Sequence, residues 1–183
     1  MNRSINGIEV GRGIAALLVV IYHISRLFQE NVGFYPFGEV TEIGHSGVDF
    51  FFVLSGFIIF YIHEKDFNQP SKTLPYVIKR FARVFPLYWI MFLMTFLLIP
   101  FVSSASFPSL SAFVSQLILL PIGMSELVVG VSWTLQLELV FYALFASLIL
   151  NKAMGSALVF MWGGLVVINN FIHPIPLENP ILF

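Results

Sequence analysis

Residues 10–25 of the chain read VGRGIAALLVVIYHIS, in which nine apolar residues, Ile14 to Tyr22, stand between an arginine and a histidine. A membrane-spanning helix needs about 20 predominantly apolar residues, and this stretch supplies most of one. Arg12 and His23 are eleven positions apart. Eleven steps of about 100° return an α-helix to within roughly 20° of its starting face. The two side chains are therefore predicted on one face of one helix, about 16 Å apart along its axis.

The chain as a whole is also strongly apolar. Of its 183 residues, 58% are hydrophobic and 10% are charged, whereas soluble domains are about half apolar and a quarter charged. A lipid bilayer is therefore the expected solvent. A net charge of −1 without any basic run argues against a nucleic-acid partner. The absence of cysteine excludes thiolate metal sites and the four histidines lack ligand-like spacing, so no metal site is predicted.

Apolar segments long enough to span a membrane recur along the sequence. The shorter segment 111–124 ends near Pro121 and Gly123 and fits a tilted span, a half-helix or an interfacial piece. No small-x-small cleavage site follows the first segment, which argues against a secretory signal. We expect an all-α, polytopic transmembrane helix bundle with about five or six membrane-embedded helices, forming a single membrane domain over residues 1–183. The five long candidates are approximately 11–28, 45–63, 84–102, 131–150 and 153–172.

The distribution of lysine and arginine predicts the orientation. Loop 29–44 contains glutamates and no positive residue, whereas the N-terminus and the predicted loop 64–83 are basic. By the positive-inside rule, the N-terminus and loop 64–83 are expected in the cytoplasm and loop 29–44 outside. Lys152 is a single charge, and it leaves the later topology open. The glutamates of loop 29–44 are Glu30, Glu39 and Glu42. The basic residues of the N-terminus and of loop 64–83 are Arg3, Arg12, Lys65, Lys72, Lys79, Arg80 and Arg83.

Ionisable groups inside apolar segments are candidate functional residues, because burying them in lipid is costly. His23 is a candidate general base, because an unperturbed imidazole has a pKa of about 6.5, close to working pH. Asp49 lies one helical turn after His45, and Glu138 lies inside the apolar segment 131–150. Structural alternatives remain open for each: a helix–helix hydrogen bond for His23, a helix cap or membrane-edge position for Asp49, and an ion pair with an arginine for Glu138.

Arg80 and Arg83 are three residues apart and share a helix face, where two guanidiniums suit phosphate. Pro86 is expected to kink or start the helix that follows them. The alternative for these arginines, as for Arg12, is a positive-inside anchor. The small residues around Asp49 are interpreted as packing positions, namely Ser46, Gly47, Ser55 and Gly56.

Four stretches occur in an order that resembles one family. They are INGIEVGRGIAALLVVIYH (5–23), GVDFFFVLSGFII (47–59), KRFARVFPLYW (79–89) and SWTLQLELVFY (132–142). They are similar to the LDGLRGIAALLVVxxH, GVDxFFVLSGFLI, RxxR[IV]xPxYW and W[ST]LxxExxFY patterns of the acyltransferase-3 membrane proteins, with Glu9 where an aspartate is usual. This family includes O-acetyltransferases of surface and exported polysaccharides.

The resemblance implies a membrane O-acyltransferase of the bacterial inner membrane with a cytoplasmic N-terminus. Acyl-CoA, in particular acetyl-CoA, would be the donor substrate rather than a bound cofactor, and a carbohydrate hydroxyl would be the acceptor. By the same resemblance His23 and Glu138 are catalytic, with His23 as the general base. Arg12, Arg80 and Arg83, together with Asp49, are substrate-binding, and either Asp49 or Glu138 would orient the histidine ring.

Proteins of this family are longer and have more spans. We therefore expect the chain, which ends in HPIPLENPILF (173–183), to be truncated at its C-terminus or to pair with the missing C-terminal half. An inactive fragment is one alternative. A small transporter-like protein with a His23, Asp49 and Glu138 relay is another, but such transporters usually contain an inverted repeat, and the sequence shows none.

Overall fold

Every regular element in the described part of the chain is helical. The computed structural model describes residues 3–36, 38, 44, 46–102, 107–120, 129 and 132–171. The prediction of an all-α chain is confirmed. The helices are α1 (Arg3–Val32), α2 (Ser46–His63), α3 (Pro70–Val102), α4 (Leu110–Leu117), α5 (Ser132–Leu150) and α6 (Lys152–Phe171), with a short 3₁₀ turn at Glu64–Asp66 after α2.

The long helices are built for a membrane. Five of them contain segments long and apolar enough to cross one. Many of their large apolar side chains are turned outward, and Leu17 and Phe160 are 59% and 80% exposed. Such surfaces are unfavourable in water and favourable in lipid. The protein is therefore an integral membrane protein. The segments are Gly7–Val32, Ser46–Asp66, Pro70–Ile99, Ser132–Leu150 and Lys152–Asn169.

The short segment 111–124 forms α4, which has only 8 residues. A helix of that length is about 12 Å long, against a hydrocarbon thickness of about 30 Å, so α4 does not cross a membrane. It begins because the Ser109 hydroxyl accepts a hydrogen bond from the Ala112 amide at 3.2 Å. It ends just before Leu119, whose φ of 54° is left-handed. Pro121 and Gly123 lie outside the described residues.

Helix α3 begins earlier than the sequence predicted. Segment 64–83 was expected to be a loop, but residues from Pro70 onward are helical, and Pro86 lies inside the helix rather than at its start. Proline suits the first helical position, because its φ is preset and its missing N–H needs no partner there. Asn68, with a φ of 62°, turns the chain just before. The basic residues that follow are good helix formers, so charge alone did not indicate a loop.

The chain forms two compact units, Met1–Glu64 and Lys65–Phe183, here called unit 1 and unit 2. In unit 1, α1 and α2 pack antiparallel. A Cβ on Gly47 would lie 3.0 Å from the Ala15 carbonyl oxygen and 3.0 Å from a Val19 methyl, so this close approach requires glycine. Among the described residues, nothing lies within 4 Å of a Cβ placed on Gly56. The described contacts therefore support the packing interpretation at Gly47, and at Gly56 it stays a prediction.

In unit 2, α3 and α5 also run antiparallel. The amides of Asn68 and Gln69, just before α3, donate to the carbonyls of Leu148 and Ile149 at 3.2 Å and 2.8 Å. These bonds satisfy carbonyls at the end of α5 that have no partner within the helix. Towards the other end of α5, the Gln136 side-chain amide donates to the Leu120 carbonyl at 3.0 Å. The bonds of Asn68 and Gln69 thus fix the start of α3 against the end of α5, and the bond of Gln136 joins α5 to the chain just after α4.

Short α4 is attached to α3 by two aromatic side chains. The Tyr88 hydroxyl donates to the Gln116 carbonyl at 2.7 Å, and the Trp89 indole nitrogen donates to the Leu117 carbonyl at 2.9 Å. Both carbonyls lie in the last turn of α4, and the Gln116 carbonyl also accepts a hydrogen bond from the Leu119 amide at 3.0 Å. A single residue, Asn151, separates α5 from α6. These contacts define the frame in which the candidate site residues of unit 2 are held.

Candidate functional site

His23 is an exposed side chain on α1. Its Nδ1 lies 2.9 Å from the Val19 carbonyl oxygen, one turn earlier in the same helix. A carbonyl oxygen only accepts, so Nδ1 is the donor in this hydrogen bond, and in a neutral imidazole Nε2 is then the acceptor. The Tyr22 ring meets the imidazole edge-on at 5.3 Å. These two contacts orient the ring.

Arg12 lies three turns before His23 on the unbroken helix α1. Its Cζ is 4.9 Å from the centroid of the Phe51 ring, which belongs to α2. A guanidinium over an aromatic face is a favourable cation–π arrangement. Its Nε is buried and has no hydrogen-bond partner among the residues the structure describes. Arg12 therefore presents a partly desolvated charge at the contact between α1 and α2.

Asp49 is exposed and lies in the first turn of α2. A carboxylate there interacts favourably with the positive end of the helix dipole. Within the described ranges it forms no hydrogen bond or ion pair, and the described contact of the His23 imidazole nitrogen is to Val19 rather than to a carboxylate. His45, one turn before Asp49, lies outside the described residues. The described hydrogen bond of the His23 ring is thus to Val19, and an orienting role for Asp49 or Glu138 stays a prediction.

In unit 2, two tyrosine rings contact Arg80, and one of these tyrosines also forms a hydrogen bond with Glu138. The Arg80 Cζ lies 5.2 Å from the ring centroid of Tyr76 and 5.3 Å from that of Tyr142. The Tyr142 hydroxyl donates a hydrogen bond to Glu138 Oε1. Both tyrosines are buried, and Arg80 and Glu138 are half-buried. We call these four residues, Tyr76, Arg80, Glu138 and Tyr142, the Arg80 cluster.

Three members of the Arg80 cluster, Tyr76, Arg80 and Tyr142, border a cavity of about 370 Å³ between α3 and α5. This volume lies within the range of small-molecule sites, about 300–1,000 Å³. Arg80 is the charged residue in its wall, and most of the rest is apolar, so the cavity suits a ligand with an anionic group and an apolar arm. It is lined by Tyr76, Val77, Arg80, Phe81, Phe85, Leu139, Tyr142, Ala143 and Ala146.

Arg83 follows Arg80 by one turn of α3 but has a different environment, since its side chain is exposed. It acts electrostatically on Tyr142, as Arg80 does. Sequence reasoning singled out both arginines and Glu138 but neither tyrosine. The signal that would have found them is the spacing of four residues between Tyr76 and Arg80 and between Glu138 and Tyr142, because such pairs are neighbours on a helix. In the described part of the chain, no group of three potential ligands could hold a metal ion.

Comparison with known proteins gives a family match over almost the whole chain. The model of the acyltransferase domain family, acyltransferase-3, matches residues 5–183. "Protein 2 in picA locus" of Rhizobium radiobacter is 35% identical over 78 residues, which are 42% of this chain and 36% of that protein. "Exopolysaccharide production protein ExoZ" of Rhizobium meliloti (strain 1021) is 33% identical over 118 residues, 60% of this chain and 35% of ExoZ.

The chain thus covers about a third of the length of these curated relatives. No solved structure matches it. The family match includes all four sequence stretches quoted above, and it agrees with a helical chain whose long segments suit a bilayer. The chain belongs to the acyltransferase-3 family of integral membrane proteins.

Proposed function

We propose that this protein is a membrane O-acyltransferase that moves an acyl group, in particular acetyl, from cytoplasmic acyl-CoA to a hydroxyl of a surface or exported carbohydrate. The observation that carries the proposal is the fixed imidazole of His23, with Nδ1 tied to Val19 and Nε2 left as acceptor. Membership of the acyltransferase-3 family supplies the reaction class. The name of ExoZ, an exopolysaccharide production protein, supports a carbohydrate acceptor.

In the proposed reaction, His23 Nε2 takes the proton of the acceptor hydroxyl while the oxygen attacks the thioester carbonyl. The new C–O bond forms, the C–S bond breaks, and the imidazolium returns its proton to the departing thiolate. General-base catalysis of this kind typically contributes about 10²- to 10⁴-fold in rate. The Val19 carbonyl keeps the ring from rotating, and it also interacts favourably with the positive charge that forms on the imidazole.

The arginines are proposed to hold the donor. Coenzyme A carries several phosphates, and a planar guanidinium offers them a fork of donors. The Arg80 guanidinium contacts two tyrosine rings, which position it at the wall of the cavity where we propose it binds an anionic group of the donor. Arg83 is exposed one turn away and adds a second positive charge. Arg12 is proposed to bind the donor on the α1 side.

Two carboxylates, one in each unit, also have proposed roles. Glu138 is proposed as the second catalytic group, since its carboxylate is held by Tyr142. Asp49 is proposed to bind a substrate hydroxyl, because it is exposed and makes no ion pair among the described residues. The basic residues of segment 64–83 support an inner-membrane protein with a cytoplasmic N-terminus.

Acyl transfer in inverted membrane vesicles tests the proposal. Vesicles carrying the wild-type chain receive acetyl-CoA labelled in its acetyl group, and label in extractable glycans is counted. His23→Ala is expected to lower the initial rate by about 10²-fold or more. His63→Ala is the matched control, because this second histidine lies at the end of α2 and has no proposed role.

Each result decides a part of the proposal. Label that disappears with His23→Ala and persists with His63→Ala supports transfer with His23 as the base. Equal label from wild type and His23→Ala contradicts the role of His23. No label from the wild-type chain contradicts the proposed activity of this polypeptide.

A further inference from the structure

The side chain of Tyr142 serves two charged residues at once. Its hydroxyl donates to the Glu138 carboxylate, one turn earlier on α5. Its ring lies 5.3 Å from the Arg80 guanidinium carbon, which comes from α3. Tyr142 is buried, with 6% of its surface exposed. It therefore fixes an anion and a cation of the proposed site relative to each other across the contact between two helices.

Tyr76 is the second tyrosine whose ring contacts Arg80. Its ring is 5.2 Å from the same guanidinium carbon, and it meets the Tyr142 ring nearly perpendicularly, at 86° with the centroids 6.5 Å apart. An arginine side chain loses much conformational freedom when it binds a ligand. Two buried rings limit that freedom beforehand, so less is lost on binding. The rings thus prepare the Arg80 guanidinium for an anion in the cavity that all three residues line.

We infer that Tyr142 is a positioning residue with two separable parts: its ring holds Arg80 for the anionic acyl donor, and its hydroxyl holds Glu138 for the transfer step. This inference rests on the proposed function. The ring is predicted to control donor affinity together with Tyr76, and the hydroxyl is predicted to control turnover.

Variants of Tyr142 separate the two parts. Tyr142→Phe removes the hydroxyl and keeps the ring over Arg80, whereas Tyr142→Leu removes both. Tyr76→Leu removes the other ring and leaves the Tyr142 hydroxyl on Glu138. Tyr88→Phe is the matched control, since Tyr88 is also a buried tyrosine of α3, and its hydroxyl donates at 2.7 Å to a backbone carbonyl of α4, away from the Arg80 cluster.

The measurements are KM for acetyl-CoA and kcat in the vesicle assay, together with equilibrium binding of CoA to the purified protein. Tyr142→Phe is expected to lower kcat about tenfold with KM unchanged, because only the support of Glu138 is lost. Tyr76→Leu is expected to raise KM and weaken CoA binding about tenfold with little change in kcat, because a cation–π contact is lost. Tyr142→Leu combines both changes, and Tyr88→Phe causes neither.

Several outcomes overturn the inference. If Tyr142→Phe and Tyr142→Leu change KM and kcat equally, the ring has no separate role. If Tyr76→Leu elutes as a folded protein and binds CoA like wild type, the two rings do not prepare Arg80. Should Tyr142→Leu fail to fold, Tyr76→Leu and Tyr142→Phe still test the ring and the hydroxyl separately.

The outcomes also distinguish the inference from the function on which it rests. A wild-type chain that neither transfers acetyl groups nor binds CoA refutes the proposed function and the inference with it. A wild-type chain that transfers and binds, with variants that show no division between KM and kcat, refutes the inference alone. An inactive wild-type chain that still binds CoA refutes the proposed activity, and loss of that binding in Tyr76→Leu but not in Tyr142→Phe supports the role of the rings.

Discussion

The two helix pairs that hold the proposed catalytic groups are joined by opposite means. In unit 1, α1 and α2 approach closely because Gly47 leaves room for the Ala15 carbonyl and the Val19 side chain. In unit 2, α3 and α5 are joined by large side chains of the Arg80 cluster and by hydrogen bonds from the chain before α3. One contact therefore depends on an absent side chain, and the other depends on bulky ones.

This difference separates packing from the proposed chemistry at His23 and combines them at the Arg80 cluster. The His23 ring donates its hydrogen bond to a carbonyl of its own helix, so replacing the ring is expected to leave the contact between α1 and α2 in place. Arg80 and Tyr142 touch across two helices, so replacing either is expected to alter the packing and the site together.

The largest expected effect comes from filling the glycine contact of unit 1. Gly47→Leu places a side chain where a Cβ alone would lie 3.0 Å from a backbone oxygen. The helices must separate, and overpacking of this kind costs about 3 kcal/mol or more of the free energy of unfolding. Unfolding by titration with sodium dodecyl sulfate in mixed micelles measures the loss.

Gly56→Leu is the control for this change, because it lies on the same helix with nothing within 4 Å of its Cβ position. Its expected change in the free energy of unfolding is within about 0.5 kcal/mol of zero. Equal losses for the two variants would mean that α1 and α2 do not approach at Gly47.

The next effect concerns the arginines of unit 2. Arg80→Lys keeps the charge but loses the planar group that contacts the two tyrosine rings, so CoA binding is expected to weaken about tenfold. Arg83→Lys, at an exposed position, is expected to weaken it by less than about threefold. Equilibrium binding of CoA to the two purified variants makes the comparison. A larger loss at Arg83 would show that the exposed arginine, and not the enclosed one, binds the donor.

The smallest effect tests the attachment of α4. Trp89→Phe removes the indole donor to the Leu117 carbonyl, and one such hydrogen bond contributes about 1 kcal/mol to the free energy of unfolding. Trp162→Phe is the matched control, because the buried Trp162 indole nitrogen has no hydrogen-bond partner among the described residues. The loss for Trp89→Phe is expected to exceed that of the control by about 1 kcal/mol in the same titration. Equal losses would mean that the indole hydrogen bond does not hold α4.

The sequence predicted the helices well because length and apolar composition alone decide them. The segments around Asp49 and Glu138, predicted as 45–63 and 131–150, were placed within one residue of their observed ends, whereas α1 extends beyond the predicted 11–28 on both sides. It failed at the start of α3, where a basic and proline-containing segment suggested a loop but Pro70 begins a helix. Positive charge indicates the side of a membrane, and it does not oppose helix formation.

Only those features of the candidate site that lie within one helix could be predicted from the sequence. The spacing of Arg12 and His23 on α1 follows from helical geometry. The rings that enclose Arg80 depend on the register of α3 against α5, which no local pattern states. The partner of the His23 Nδ1 is a backbone carbonyl, a group that every residue carries, so its identity becomes visible only with coordinates.

The junction at Asn151 has a consequence for biosynthesis. With one residue between them, α5 and α6 fold back on each other, and the Asn151 side chain accepts a hydrogen bond from the Met154 amide at 3.1 Å. We therefore expect the two segments to enter the bilayer together as one helical hairpin, with Lys152 near its tip. Such a hairpin forms only after both helices have been synthesised.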